Sequence, residues 1–159
     1  MSKTLKMMIA AMLILTCVVA LFHRNSQEEV SCMVIKTAGK EIEADFSDLD
    51  QGEFSGELVN GKGDITFHTY RGILLRDLLE SKGITVSDLS AVTVTSADNY
   101  SVTFEVKEIL SEGMVYVAVT ADGKPIAGID EGTDGVQIIV FGDPDSKRCV
   151  RFATIIQCS

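Results

Sequence analysis

The most regular hydrophobic pattern of the chain lies in residues 69–83, TYRGILLRDLLESKG. The four leucines of this stretch recur at positions i, i+1, i+4 and i+5: Leu74, Leu75, Leu78 and Leu79. This spacing predicts a helix over residues 74–82 with one apolar face, while Arg76 and Asp77 point away from that face. Gly83 suits the end of the helix, because glycine accepts the left-handed conformation there.

Alternation of apolar and polar residues predicts strands on both sides of this helix. The predicted strands cover residues 31–37, 41–46, 57–60, 64–70, 91–96, 101–105, 115–121, 124–127, 136–141 and 148–157. Asp98-Asn99 and Asp122-Gly123 predict hairpin turns, because these residue types accept left-handed backbone conformations. A short helix is predicted over residues 106–110 and a single helical turn over residues 47–50. Many strands, one main helix and mixed strand pairing together predict fold class α+β.

A separate apolar segment opens the chain in residues 1–22. Lys3 and Lys6 precede the uncharged run 7–22, which is shorter than the roughly 20 residues of a spanning helix and suits a secretory signal peptide. An uncleaved N-terminal membrane anchor is the alternative, with both lysines on the cytoplasmic side. A third interpretation, lipid attachment at Cys17, fits less well because the apolar run continues beyond it.

The N-terminal segment sets the domain organisation. Residues 23–30 are predicted to form a polar linker and residues 31–159 one folded domain. All three interpretations place this domain outside the cytoplasm, either secreted or membrane-anchored. The chain of 159 residues carries a formal charge of −9 and has a pI of about 4.6. We expect no nucleic-acid partner, since phosphate backbones are bound by basic surfaces.

Two phrases of the chain resemble the sulfite oxidase-type molybdopterin-binding domain family. Residues 70–83 are similar to the family's y-x-G-v-P-L-x-d-L-L-x-x-x-G, and residues 92–100 are similar to its v-x-v-x-S-x-D-G-Y. Leu74 stands where proline is usual, and Asn99 stands where glycine is usual. Later segments extend the resemblance to residues 31–158. It implies a strand-rich, mixed-sheet molybdopterin-binding fold and, in redox members, a molybdopterin cofactor.

The resemblance also implies residues that this chain lacks. In the redox members a cysteine thiolate binds molybdenum ahead of the first phrase, in a segment that also carries basic residues for the pterin phosphate. The corresponding residues 45–67 contain no cysteine, no histidine and a single basic residue, Lys62. Molybdenum would therefore lack its soft thiolate ligand. We predict no metal, no catalytic residue and no cofactor, with molybdopterin as the alternative.

The candidate ligand-binding residues are polar residues in and near the two phrases, from which the family builds part of its site, together with Arg148 from the basic cluster near the C-terminus. They are His68, Tyr70, Arg71, Asp98, Asn99, Tyr100 and Arg148. We expect His68, Tyr70, Asn99 and Arg148 to converge on one pocket. The alternatives are an exposed polar strand, ordinary turn chemistry and, for Arg148, a surface ion pair with the aspartates of residues 143–145.

The folded domain contains three cysteines, Cys32, Cys149 and Cys158. The resemblance suggests that the first and last strands are antiparallel neighbours, which would bring Cys32 at the start of one next to Cys158 at the end of the other. We therefore expect a Cys32–Cys158 disulfide and a free Cys149, since an exported domain can be oxidised. Three unpaired thiols are the alternative.

Together these observations predict an exported or membrane-anchored domain that binds an unknown small ligand or a cell-surface protein without redox catalysis. The alternative from a different class is a molybdopterin-dependent oxidoreductase or its subunit. A membrane-tethered scaffold with no small ligand is the third hypothesis.

Overall fold

Ten strands and two short helices make up the part of the chain that the computed structural model describes, residues 32–47 and 49–159. The strands are β1 (Met33–Thr37), β2 (Lys40–Ala44), β3 (Gly52–Val59), β4 (Ile65–Leu74), β5 (Ala91–Ser96), β6 (Ser101–Glu105), β7 (Val115–Ala121), β8 (Lys124–Pro125), β9 (Gln137–Val140) and β10 (Ala153–Cys158). The helices are α1 (Leu75–Ser81) and α2 (Val106–Leu110), and 3₁₀ turns lie at Val86–Asp88 and Ser146–Arg148.

The predicted signal or anchor segment, residues 1–22, and the linker, residues 23–30, lie outside the described residues. Within the described residues, no helix is long and apolar enough to cross a membrane.

The strands form two sheets of five strands each. The first sheet has the order β2-β1-β10-β5-β6, and the second has the order β3-β4-β7-β8, with β9 also paired to β7. Strands β1 and β10 run parallel, whereas the other paired strands are antiparallel. The prediction of a strand-rich α+β fold with mixed pairing is therefore confirmed.

The main core lies between the two sheets and helix α1. Its buried side chains come from the first sheet, the second sheet and the helix: Ile35, Val94, Ile156, Val117, Ile138, Leu75, Leu78 and Leu79. The predicted apolar face of the helix is confirmed, because Leu75 and Leu78 have no exposed surface. Burying a leucine side chain completely stabilises the folded state by about 1.5–3 kcal/mol.

Local sequence signals predicted the middle of the chain well. The bounds of β5, β6, α2 and β7 agree with the predicted ranges residue by residue. Both hairpin turns are confirmed, since Asn99, Asp122 and Gly123 have φ values of 67°, 51° and 74°.

The long hairpin of the second sheet and the last strand differ from the prediction. Strand β3 begins at Gly52, and β4 continues through Gly72 to Leu74, so both strands are longer than expected. Strand β10 begins at Ala153, because the residues before it form a 3₁₀ turn and an irregular segment.

The expected Cys32–Cys158 disulfide is wrong. Because β1 and β10 are parallel, with Val34 beside Ile155 and Thr37 beside Cys158, the two cysteines lie at opposite ends of the strand pair. Five residue steps along a strand span roughly 17 Å, whereas a disulfide needs Cα atoms within about 7 Å. The three cysteines of the described chain are all free thiols, as the alternative had it.

Candidate ligand-binding site

A hollow in the second sheet begins where two glycines face each other across β3 and β4. Gly52 is paired with Gly72 in the antiparallel register. Directly opposed positions are where cross-strand side chains normally contact each other, so this pair makes no side-chain contact. Phe54 and Leu74, two residues further along each strand, share the face of the glycines and border the gap.

Strands β4 and β7 approach each other closely at Gly72, which lines the hollow. A Cβ atom on Gly72 would lie 2.0 Å from the carbonyl oxygen of Val117 and 2.9 Å from the Cα atom of Ala118. At this point a bulge shifts the register of the two strands between Arg71 and Gly72. A Cβ atom on Gly52 would meet no atom within 4 Å, so the hollow is open on that side.

The hollow is a cavity of about 290 Å³, here called the glycine-pair cavity. Its apolar walls are Phe54, Ile73, Leu74 and Tyr116, from β3, β4 and β7. Its volume is near the lower end of the roughly 300–1,000 Å³ that ligand pockets occupy, which suits a small molecule.

The aromatic wall of the cavity is held in place by further rings. Phe54 and Tyr116 are stacked, with ring centroids 3.9 Å apart and planes inclined by 13°. Tyr70 and Phe141 pack against Phe54, with centroid distances of 5.6 Å and 6.1 Å. These four residues form the aromatic cluster, a second small core on the face of the sheet that points away from the main core. Because each ring has several neighbours, the orientations of the rings are fixed.

The polar wall of the cavity is acidic. Asp50, Glu53 and Asp77 line it, and no lysine, arginine, histidine or cysteine does. Glu53 is paired with Arg71, so its side chain lies on the other face of β3 from Phe54. Asp77 has a partner outside the cavity, since Nε of Arg76 donates a hydrogen bond to its Oδ1 atom at 2.8 Å. Asp50 and Glu53 enter no ion pair with the rest of the described chain.

The cofactor of the resembled family does not fit this lining. A pterin phosphate is anionic, and the lining includes aspartates and no cation that would attract it. Molybdenum needs a soft thiolate ligand, and the cavity has no cysteine. Within residues 32–47 and 49–159, no group of three histidine, cysteine, aspartate or glutamate side chains is arranged to hold a metal ion.

A smaller cavity of about 130 Å³ contains a cysteine but no thiolate. The thiol of Cys32 lines it and donates a hydrogen bond to Oε1 of Glu43 at 2.9 Å. Desolvation, followed by this hydrogen bond, raises the pKa of Cys32 to about 11. The thiol is therefore protonated at neutral pH, and a protonated thiol is a poor metal ligand.

Three of the predicted site residues, His68, Tyr70 and Arg71, lie on β4 close to the aromatic cluster. His68 Nδ1 lies 2.7 Å from Oδ2 of Asp122, and the His68 ring lies 5.9 Å from the Tyr70 ring. Tyr70 is a member of the aromatic cluster, and its burial raises the pKa of the hydroxyl to about 12. Arg71 lies on the opposite face of the strand, since side chains alternate along it.

Asp98, Asn99 and Tyr100 form the turn between β5 and β6. The Asp98 carboxylate accepts hydrogen bonds from the Ser96 hydroxyl and the Tyr100 backbone N–H, and these bonds lower its pKa. The Tyr100 hydroxyl donates a hydrogen bond to the carbonyl oxygen of Lys147. All three residues therefore have a structural explanation in turn formation and in contact with the neighbouring loop.

Arg148 is enclosed by acidic side chains. Its Nε and Nη2 atoms donate hydrogen bonds to the two carboxylate oxygens of Asp143, each at 2.7 Å, and Nη1 donates to Glu108 at 2.8 Å. The guanidinium also lies 5.6 Å from the centre of the Phe104 ring. These contacts use each guanidinium nitrogen, so the ion-pair alternative describes this residue better than an anion site does.

The structure does not bring the seven predicted residues into one pocket. None of them lines the glycine-pair cavity or the Cys32 cavity. The sequence reasoning missed the residues that do form the larger cavity, above all Gly52, Glu53, Phe54 and Tyr116. The alternation of Glu53 and Phe54 was a strand signal, but its pairing with β4 depends on a register that the sequence alone does not specify.

Comparisons with known proteins support the fold. No protein-family model matches the chain, and no curated protein matches it. Among solved structures, a chain of the sulfane dehydrogenase SoxCD from Paracoccus pantotrophus is similar, with a TM-score of 0.64 and 14% sequence identity. The match covers 80% of this chain and 38% of that chain, so this protein spans well under half of the SoxCD chain. The similarity supports a sulfite oxidase-like fold.

Proposed function

We propose that this protein binds a small molecule in the glycine-pair cavity and performs no redox catalysis. The observation that carries the proposal is the cavity itself, where the apolar side chains of Phe54, Leu74 and Tyr116 lie beside Asp50 and Asp77. Convergent apolar and polar groups of this kind are typical of ligand pockets. We further propose that the domain works outside the cytoplasm, secreted or held at the membrane by residues 7–22.

The chemistry of the side chains supports the proposal that no redox catalysis occurs. Neither cavity offers a thiolate, and the larger one is lined by carboxylates where a molybdopterin phosphate would need cations. A molybdopterin-dependent oxidoreductase, or a subunit of one, is the second candidate function. The similarity to a chain of sulfane dehydrogenase SoxCD is the observation that favours it.

A cell-surface protein is the other partner that we propose. Ile65 and Phe67, in the hairpin of β3 and β4, have 62% and 66% of their surface exposed. Exposed apolar side chains that lie close together favour contact with another protein.

The first experiment measures molybdenum and extracted pterin in the purified full chain. We expect neither in stoichiometric amount, and stoichiometric molybdenum with pterin would establish the second candidate in place of the first.

The second experiment screens a small-molecule library by thermal shift. A ligand at one hundred times its dissociation constant stabilises the folded state by about 2.7 kcal/mol. Gly52→Leu places a side chain at the open mouth of the cavity, where a Cβ meets no atom within 4 Å, and we expect it to abolish the shifts. Gly61→Leu is the matched control, because Gly61 is equally unobstructed and lies in the β3–β4 turn away from the cavity. Shifts that survive in Gly52→Leu would place the binding site elsewhere and refute the proposal.

A further inference from the structure

We infer that the outer edge of β3 binds an extended, basic segment of a partner protein as an additional antiparallel strand. The inference rests on the proposed protein partner and goes beyond it by naming the surface and the mode of binding; it does not depend on the glycine-pair cavity. Strand β3 is the terminal strand of the second sheet, with β4 on one side and no described strand on the other.

The turn between β3 and β4 shows which backbone groups of β3 are free. The N–H of Asn60 donates a hydrogen bond to the carbonyl oxygen of Asp64 at 3.0 Å, so these two residues form a hydrogen-bonded pair. Hydrogen-bonded and non-hydrogen-bonded pairs alternate along an antiparallel ladder. The even-numbered residues of β3 therefore bond to β4, whereas the N–H and C=O groups of its odd-numbered residues, from Glu53 to Val59, point outward.

The neighbouring strand supports the same assignment. Thr69 is paired with Ser55, and its carbonyl oxygen accepts a hydrogen bond from the N–H of Asp122 at 2.7 Å on the side of β7. Because Thr69 bonds away from β3, the backbone groups of Ser55 point away from β4. No backbone hydrogen bond joins the outer edge of β3 to another described segment. An extended chain laid along this edge would satisfy its donors and acceptors.

Among the described edge strands, β3 is the longest. It has eight residues, and its register with β4 is continuous, without a bulge. Strands β2 and β6 have five residues each, and β8 has two, one of which is Pro125. Proteins commonly shorten, bulge or block with proline the edges that must remain unpaired. The length and regularity of β3 therefore favour pairing with another strand.

One face of β3 selects a basic partner. Glu53 and Glu57 are exposed on this face and enter no ion pair within residues 32–47 and 49–159. The two residues lie roughly 13 Å apart along the strand, so residues four positions apart on an added strand come opposite them. Opposite charges at directly opposed positions stabilise a sheet. We therefore assign lysine or arginine to these positions of the partner.

The other face of β3 selects apolar side chains between the basic ones. Phe54 and Leu58 are half-buried there and belong to or pack against the aromatic cluster. Between them the Phe141 ring lies against Gly56, where a Cβ atom would collide with it. Apolar side chains of an added strand would cover these three side chains and remove them from water. The partner segment therefore alternates basic and apolar residues.

A second copy of this chain fits the edge less well. The chain has a formal charge of −9, so two copies repel each other. Antiparallel pairing of two β3 strands centred on Ser55 places Glu53 opposite Glu57 of the second copy, and pairing centred on Gly56 makes glutamates of the two copies diagonal neighbours. Like charges at opposed positions destabilise a sheet.

The peptide acetyl-KVKVKVK-amide tests the inference through its dissociation constant for the full chain, measured by isothermal titration calorimetry. We expect it to bind more tightly than acetyl-EVEVEVE-amide, with the difference falling at high salt. When the lysines lie opposite the odd-numbered residues of β3, their backbone N–H groups face β3 and those of the valines face solvent. N-methylation of the lysine nitrogens should weaken binding by more than about tenfold, whereas N-methylation of the valine nitrogens, at the same charge, should have little effect.

Amide hydrogen exchange measured by NMR locates the bound peptide. The N–H groups of Ser55 and Glu57 should exchange rapidly in the free chain and become protected when the peptide binds. The N–H of Leu58 is the internal control, because it bonds to β4 in both states. No amide of the edge strands β2 and β6 should change.

Variants of the chain identify the groups responsible. Ser55→Pro removes an outward N–H without removing a hydrogen bond to β4, and we expect it to abolish peptide binding. The double variant Glu53→Gln/Glu57→Gln keeps the backbone intact, and it should weaken binding about 2- to 30-fold, the combined range of two surface ion pairs. Glu112→Gln/Glu131→Gln is the matched control, because it removes the same charge from exposed positions outside the strands.

Four results would overturn the inference. They are failure of the basic peptide to bind, equal binding after N-methylation of the lysines, equal weakening by the two double variants, and protection of the Ser55 and Glu57 amides in the free chain. The last result would mean that a second copy or the chain itself occupies the edge. The thermal-shift screen and Gly52→Leu decide the small-molecule proposal separately, so failure at the edge is distinguishable from failure at the cavity.

Discussion

Acidic residues lie both around Arg148 and at the glycine-pair cavity. Those around Arg148 are paired with a positive charge, whereas two of those at the cavity are not. Asp143 and Glu108 each accept hydrogen bonds from Arg148, and all three side chains are at least two-thirds buried. At the cavity, Asp50 and Glu53 are exposed and enter no ion pair within the described residues. Charges with partners inside the protein stabilise its fold, whereas charges without them are available to a ligand.

This difference bears on the sequence analysis, which gave Arg148 two interpretations, a ligand-binding residue and a surface ion pair. Arg148 stood out because basic residues are rare in this acidic chain, and that rarity is also why acidic side chains surround it. The cavity carboxylates did not stand out, because aspartate and glutamate are common throughout the sequence. A rare charge in an oppositely charged protein finds partners easily, so rarity alone does not indicate function.

The largest expected effect tests how closely the backbones of β4 and β7 approach each other at Gly72. Gly72→Ala forces a Cβ to within 2.0 Å of the Val117 carbonyl oxygen, and backbone atoms on both strands would have to move. We expect a loss of about 3 kcal/mol in the free energy of unfolding, the upper part of the range for overpacking. Gly52→Ala, on the facing strand, should change it by less than about 0.5 kcal/mol. Urea unfolding of both variants measures the difference, and equal values would contradict the close approach of β4 and β7.

The second effect tests whether the charges around Arg148 are structural. Arg148→Met removes the partner of Asp143 and Glu108 while keeping much of the side-chain volume. We expect a loss of about 1–3 kcal/mol in the free energy of unfolding, the range for hydrogen bonds to charged groups, with partial exposure favouring the lower half. Arg151→Met is the control, because Arg151 is exposed and contacts the Phe152 ring at 5.3 Å. A loss as large in the control would show that removing any positive charge from this acidic protein is costly.

The third effect is the pH dependence of stability that Asp98 causes. Like Asp143 and Glu108, Asp98 has hydrogen-bond partners within the protein. Hydrogen bonds from Ser96 and Tyr100 lower the pKa of Asp98 in the folded state, so the unfolded chain takes up a proton at higher pH than the folded chain does. The stabilisation is therefore fully present above the unfolded pKa of about 3.9 and is lost as pH falls through the folded pKa. Urea midpoints between pH 7 and pH 2.5 should show Asp98→Asn below the wild type at neutral pH and approaching it in acid. A constant gap across this range would contradict the assignment.

The smallest expected effect is that of removing the Glu53 charge, which we compare with the removal of the Arg148 charge. Glu53→Gln should change the free energy of unfolding by less than about 0.5 kcal/mol, because Glu53 is exposed and enters no ion pair in residues 32–47 and 49–159. Urea unfolding alongside Arg148→Met makes the comparison directly. A destabilisation above 1 kcal/mol would mean that Glu53 has a structural role, and the cavity would then resemble the surroundings of Arg148.

Local interactions explain what the sequence alone predicted about this fold. The spacing of leucines in α1, the alternation in β5, β6 and β7, and the two hairpin turns each depend on residues a few positions apart. Asn99 adopts a left-handed conformation with φ of 67°, at the position where the resembled family has glycine. Leu74 has φ of −59°, close to the value that proline imposes, where that family has proline. Both substitutions keep the local geometry, which is why the phrases were recognisable.

The tertiary structure alone decided how distant segments meet. Strand β1 could have paired with β10 in either direction, and the parallel arrangement that separates Cys32 from Cys158 depends on the whole core rather than on either strand. The glycine-pair cavity likewise requires Gly52 on β3 to face Gly72 on β4, where a bulge shifts the register of β4 against β7. A one-residue shift of β3 would place Phe54 on the opposite face and remove the cavity wall. Strand register is selected by the burial of side chains over both sheets. Local sequence patterns therefore identify the strands of this site but not which side chains come together in it.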